Sequence, residues 1–118
     1  MKKILVVDDD TDILYVVDLI LTHHKFIVQT TSTWSIISKT VENFTPDLIL
    51  LDIDLDGADG GDICKKLKHS KETQQVPVIL FSCYNMPARY IKECDAQGFI
   101  TKPFVPADLV KIIRDNLN

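Results

Sequence analysis

The sequence predicts an α/β domain in which five strands alternate with five helices and form a parallel sheet covered by helices on both faces. Three observations predict it. Short continuous apolar runs recur along the chain, apolar residues repeat at helical spacing between them, and polar or charged residues stand directly after the runs. A length of 118 residues suits a single domain.

Ile4-Leu5-Val6-Val7 is the first run, and its unbroken apolar character suits a strand buried on both faces. Ile13, Val16, Val17, Ile20 and Leu21 then mark the stripe of a helix that Asp10 can cap. Phe26-Ile27-Val28 is the second strand. A helix from about Thr33 places Trp34, Ile37, Val41 and Phe44 on one face, and Pro46-Asp47 stops it. Trp34 reads as core or edge packing.

Leu48-Ile49-Leu50-Leu51 is the most apolar run and is expected at the centre of the sheet, ending at Asp52. A loop rich in Gly and Asp, from Asp56 to Gly61, leads into a helix carrying Ile63, Cys64 and Leu67, with Lys65, Lys66 and Lys68 outward as a solvated face. Val78-Ile79-Leu80-Phe81 is the fourth strand, followed by a short helix between Pro87 and about Ala96. Gly98-Phe99-Ile100-Thr101 is the fifth strand. Leu109, Ile112, Ile113 and Asn116 mark the last helix, with Pro106 in its first turn.

Apolar residues make up 46% and charged residues 25%, which separates the chain from disordered sequences. The net charge of −4 creates no global basic field, so direct nucleic-acid binding is not expected. No run approaches the ~18 apolar residues of a membrane span, and the apolar stretch after Met1-Lys2-Lys3 is too short for a signal peptide. A cytoplasmic domain without membrane insertion is expected. Cys64, Cys83 and Cys94 are odd in number and lack metal-site spacing, so they read as reduced and mostly buried. His23, His24 and His69 lie near helix ends and read as surface residues.

Function in such a sheet gathers at the carboxyl ends of the strands. The residues there are Asp8, Asp9 and Asp10 after the first strand, Asp52 after the third, Ser82 after the fourth and Lys102 after the fifth. Two carboxylates ~4 Å apart repel by roughly 4 kcal/mol at an effective dielectric near 20, so clustered acids call for a cation. Mg2+ prefers oxygen ligands and often bridges to a phosphoryl oxygen. A carboxylate can itself be the nucleophile that forms an aspartyl phosphate. Asp52 is the expected acceptor, with the cation, the Lys102 ammonium and the Ser82 hydroxyl sharing the phosphoryl oxygens.

These residues also resemble a family. Ile4-Leu5-Val6-Val7-Asp8-Asp9-Asp10, Pro46-Asp47-Leu48-Ile49-Leu50-Leu51-Asp52, Phe81-Ser82 and Phe99-Ile100-Thr101-Lys102-Pro103-Phe104 are similar, in order and spacing, to the receiver domain of two-component response regulators. The likeness covers essentially the whole chain. It implies a flavodoxin-like (βα)5 sheet of strand order 2-1-3-4-5, with residues 1–118 a single receiver domain carrying no output domain. It implies Mg2+-dependent phosphotransfer to Asp52 from a phosphohistidine on a sensor histidine kinase or histidine phosphotransfer protein, with output to a protein partner. Enzymatic activity would be limited to self-phosphorylation from small donors and self-dephosphorylation. The resemblance assigns Asp9 and Asp52 as direct metal ligands, Asp8 through water and Asp54 through its backbone carbonyl. Ser82 and Lys102 contact the phosphoryl group, Ser82 and Phe99 form the conformational switch, and the Lys102-Pro103 bond is expected to be cis. Phe99 lacks a phenol hydroxyl and can signal only by packing.

The chain departs from the family after the acceptor, where Ile53-Asp54-Leu55-Asp56 stands in place of the usual Met and Leu-Pro pair. The added Asp54 carboxylate is expected to alter phosphorylation and dephosphorylation rates. Cys83 occupies a position where the family usually has a very small residue and is expected to narrow access. The Ser82 to Lys102 stretch is about two residues short, so a short or displaced fourth helix is expected and a homodimer is not carried over.

Three rivals are weighed. Asp52-Ile53-Asp54-Leu55-Asp56-Gly57 opens like an EF-hand, but the twelfth position is Ile63 instead of Glu. A haloacid-dehalogenase-like phosphatase shares the Asp52/Asp54 pair, yet it needs an acidic pair downstream of the lysine, whereas Asp8-Asp9 lies upstream. A pseudo-receiver would dock partners without phosphotransfer, and only the loop departures favour it.

Overall fold

Lys3–Val7 forms β1, and Ile4, Leu5, Val6 and Val7 are wholly buried, as a strand covered on both faces requires. The structure is a computed structural model and describes residues 1–55, 57–82 and 88–117. α1 spans Thr11–His23, and the Asp10 carboxylate caps it by accepting from the Asp12 and Ile13 amides at 2.9 and 3.4 Å.

β2 is Ile27–Thr31, longer than the apolar run that marked it. All five of its residues pair with β1, from Lys3 with Ile27 to Val7 with Thr31. β2 lies at the sheet edge, where Gln29, Thr30 and Thr31 need not be apolar, so an apolar run under-reports such a strand. A 3-10 turn at Trp34–Ile36 precedes α2 at Ile37–Phe44. Trp34 packs half-buried against the core. Thr45, at φ +50°, ends α2 one residue before Pro46.

β3, Leu48–Asp52, is buried throughout. Two two-residue strands follow, β4 at Asp54–Leu55 and β5 at Ala58–Asp59, joined as an antiparallel hairpin. Gly57, at φ +77°, supplies the left-handed turn residue. The sequence pattern did not mark this hairpin, because strands of two residues carry no periodicity. α3 spans Gly60–Lys68, β6 Val78–Ser82, α4 Ala88–Glu93, β7 Gly98–Thr101 and α5 Pro106–Asp115. The described part of the fourth helix has six residues. Asp56, Cys83 and Pro87 lie outside the described residues.

The main sheet runs β2-β1-β3-β6-β7, with every pairing parallel. With the hairpin set aside, this is the expected order 2-1-3-4-5. Strand alternation divides the apolar residues between two cores. Leu14, Val17 and Leu21 of α1 and Leu109 and Ile113 of α5 cover Ile4, Val6, Leu48, Leu50, Ile79 and Phe81. On the other face, residues of α2 and α3 including Val41, Ile63 and Leu67 cover Leu5, Val7, Ile49, Leu51, Val78 and Leu80.

Cys64 and Cys94 are buried free thiols of this second core, and burial pushes the Cys64 thiol up to about 12. Lys65 and Lys66 are exposed, but Lys68 is half-buried and donates to the carbonyl of Val76 at 2.9 Å and to Gln97 Oε1 at 3.2 Å. Among the described residues, no helix is long and apolar enough to cross a membrane.

Candidate functional site

The register of the central strands places the site. Val7 of β1 pairs with Leu51 of β3, so Asp8 and Asp52, the next residue on each strand, stand at one level and on one side. Asp52 pairs with Phe81 of β6, and Ser82 pairs with Thr101 of β7, which puts Ser82 and Lys102 on the same rim. The Lys102 amide donates to the Ser82 carbonyl at 2.6 Å. The Lys102-Pro103 peptide bond is cis.

Asp8 is wholly buried, Asp52 is 3% exposed and Ser82 is wholly buried, whereas Asp9 is exposed. Buried carboxylates need partners, and the backbone supplies some of them. The Asp10 amide donates to Asp8 Oδ1 at 2.9 Å, and the Asp54 amide donates to Asp52 Oδ1 at 3.2 Å. Lys102 Nζ supplies the charge, lying 2.9 Å from Asp8 Oδ2 and 3.5 Å from Asp52 Oδ1.

The same ammonium sits 4.5 Å from the centre of the Phe81 ring. A cation over an aromatic face is stabilised by the ring quadrupole, so Phe81 is a platform for Lys102. Sequence reasoning read Phe81 as a strand residue and as part of the Phe81-Ser82 motif, with no role at the site. Its position directly before Ser82 was the available signal.

The electrostatics follow from crowding. Burial, and then the Asp8 charge, push the Asp52 carboxyl up to about 6, and the Asp54 amide and Lys102 only partly oppose this. Burial lowers the Lys102 ammonium, but its hydrogen bond to Asp8 and the two carboxylate charges outweigh burial, so the net shift is upward. One ammonium therefore faces two buried carboxylates.

Asp8, Asp9 and Asp52 each place a carboxylate oxygen within 4.8 Å of the others. An all-oxygen set of three carboxylates, two of them buried, fits a hard divalent cation such as Mg2+. Asp54 is exposed on β4. Phe99 on β7 is half-buried, pairs with Leu80 and packs against the second core.

The structure thus gathers Asp8, Asp9, Asp52 and Lys102 directly, sets Ser82 on the adjoining strand end and leaves Phe99 three residues before Lys102. The sequence did not single out the role of Asp59. It caps α3 by accepting from the Gly61 amide at 2.7 Å and also accepts from the Tyr90 hydroxyl at 2.7 Å. An Asp followed by two glycines ahead of a helix was the legible signal.

Comparison with known proteins agrees with this fold. The family model described as "Response regulator receiver domain" matches residues 4–114. The chain is 30% identical over 118 residues to the DNA-binding response regulator MtrA of Mycolicibacterium smegmatis, a match that covers 98% of this chain and 50% of MtrA. It is 31% identical over 115 residues to the phosphate regulon transcriptional regulatory protein PhoB of Escherichia coli, covering 96% of this chain and 50% of PhoB. The chain spans about half the length of these curated relatives. The chemotaxis protein CheY4 of Vibrio cholerae shares the fold with a TM-score of 0.93 at 24% identity, over 99% of each chain. With its sheet order, its acidic rim and a family match across nearly its full length, this chain belongs to the receiver domains of two-component response regulators.

Proposed function

We propose that residues 1–118 form one receiver domain that accepts a phosphoryl group on Asp52 from a phosphohistidine of a sensor histidine kinase or a histidine phosphotransfer protein and signals to a protein partner. The observation that carries this reading is the Lys102 ammonium held between the buried Asp8 and Asp52 carboxylates at the end of the central strand. A structural ion pair needs one carboxylate. A second buried one beside it is unfavourable for folding and useful for chemistry.

Asp52 Oδ would attack phosphorus as the bond to the donor nitrogen breaks, which leaves the phosphoryl group on the carboxylate. Lys102 then turns from Asp8 to a phosphoryl oxygen, and the Ser82 hydroxyl donates to another. Asp9 and Asp52 would hold Mg2+ directly, Asp8 through water and Asp54 through its backbone carbonyl. Bound there, Mg2+ would supply the positive charge that lets three carboxylates and a phosphoryl group share one pocket. Movement of Ser82 toward the phosphoryl group opens space that the Phe99 ring can enter, and the β7 surface changes with it. Self-phosphorylation from small donors and self-dephosphorylation belong to the same site.

The test is intact mass after incubation with Mg2+ and acetyl phosphate. Wild type is expected to gain one phosphoryl group, and Asp52→Asn to gain none. Asp54→Asn is expected to gain the group with a changed lifetime. Absence of any gain in wild type, with no Mg2+ binding, overturns the reading in favour of a partner-docking module.

A further inference from the structure

The two glycines that open α3 each face a neighbour that excludes a side chain. A Cβ on Gly60 would collide with the Asp52 carbonyl oxygen and lie 2.5 Å from the Ile53 Cα, so the first turn of α3 rests on the backbone of the acceptor itself. A Cβ on Gly61 would collide with the Tyr90 hydroxyl and lie 2.8 Å from the Cys94 Sγ. Gly61 therefore leaves room for a side chain from α4.

Tyr90 uses that room to reach the loop. Its hydroxyl donates to Asp59 Oδ1 at 2.7 Å, the oxygen that also takes the Gly61 amide. Asp59 pairs with Asp54 across the β4–β5 hairpin, and the Asp54 amide holds Asp52 Oδ1. Four residues thus connect α4 to the acceptor carboxylate through contacts that are each present in the fold.

We propose that Tyr90 is a positioning residue for Asp52: its hydroxyl, acting through Asp59 and the hairpin, sets where the Asp54 amide stands and so how the acceptor carboxylate is held. The proposal rests on the reading of Asp52 as the acceptor. Burial, and then the bond to Asp59, raise the Tyr90 phenol well above its ordinary range, so it remains a donor across the working pH range. Coupling between two sites is reciprocal. A change at Asp52 that displaces Asp54 is therefore felt at Tyr90, which gives α4 a route to the acceptor that passes through neither Ser82 nor Phe99.

The competing explanation is that Tyr90 only fills the space above Gly61. Tyr90→Phe keeps the ring and removes the donor. Asp59→Ser keeps an N-cap oxygen for α3 and is too short to reach Tyr90. Each variant and the pair together are compared with wild type by the 15N–1H signal of the Asp54 amide without donor, and by the rate of phosphoryl uptake from acetyl phosphate with Mg2+.

The expected result is that both single variants move the Asp54 signal the same way and change the uptake rate roughly three- to tenfold, the range one hydrogen bond can deliver. The double variant is expected to do no more than either alone. An unmoved Asp54 signal in Tyr90→Phe, even with a lowered melting temperature, or effects that simply add, overturns the proposal. If wild type takes up no phosphoryl group, the acceptor reading falls, and the Asp54 signal still decides the Tyr90 contact. If uptake is the same in wild type and Tyr90→Phe and the signal is fixed, the contact falls alone.

Discussion

Asp8 and Asp52 share the Lys102 ammonium, and Asp52 bears the strain of that arrangement. Its carboxyl stands at about 6, against an ordinary value of 3.8, because burial and the Asp8 charge oppose its ionisation. A carboxyl raised by folding stabilises the fold below its unfolded value and loses that contribution as pH rises through its folded value. In the presence of a chelator, Asp52→Asn should therefore gain stability relative to wild type as the pH is raised from about 4 to about 7. Urea denaturation across that range measures the difference. Added Mg2+ should narrow the gap by stabilising wild type more than the variant, since ligands that bind the native state raise its stability in proportion to their affinity. A difference that stays constant with pH would contradict the assignment of strain to Asp52.

The end of α2 shows a cost of another kind at the scale of one element. Thr45 is β-branched and adopts φ +50°, a region that favours glycine. Its hydroxyl donates to the Phe44 carbonyl at 2.7 Å, and Lys3 Nζ approaches that carbonyl at 3.3 Å. The helix end is thus satisfied even though its backbone is strained. Thr45→Gly should raise the unfolding free energy by about 1 kcal/mol, the low end of the left-handed penalty, in urea titrations. The sequence signalled where α2 stops through Pro46 but not how, because the left-handed residue there is not one of the usual kinds. The hairpin and the room above Gly61 were hidden for a related reason. The hairpin strands are too short to show a period, and the room above Gly61 depends on what a distant segment, α4, brings to the loop, so no local spacing encodes either.

Across the molecule, one sheet separates two cores, and among the described residues no helix contributes to both. Ile113 belongs to the core on the α1 face and Ile63 to the core on the α2 face. Ile113→Val and Ile63→Val should each cost about 1 kcal/mol, and the double variant should equal their sum within about 0.5 kcal/mol, as expected of sites that share no partner. Chemical denaturation of the three variants tests it, and a large excess over the sum would mean that the sheet transmits packing from face to face. The central place of β3 was legible because Leu48 to Leu51 form the most apolar run, whereas the full strand order was legible only through the resemblance to receiver domains. The acidic rim was legible because strand ends are easy to locate from such runs. The Phe81 platform and the Tyr90 contact were not, since each requires knowing which side chains cross between strands and helices.

The Lys102 bond to Asp8 joins residues 94 positions apart, which has a consequence for the chain as it is made. Synthesis places Asp8 near the start of the chain, whereas Lys102 follows the whole of β7, the last strand of the sheet. Until then the first strand's acids lack the ammonium that offsets their charge. A nascent or truncated chain ending before residue 102 would therefore hold two crowded carboxylates without their counter-charge, so the last strand completes the site as well as the sheet.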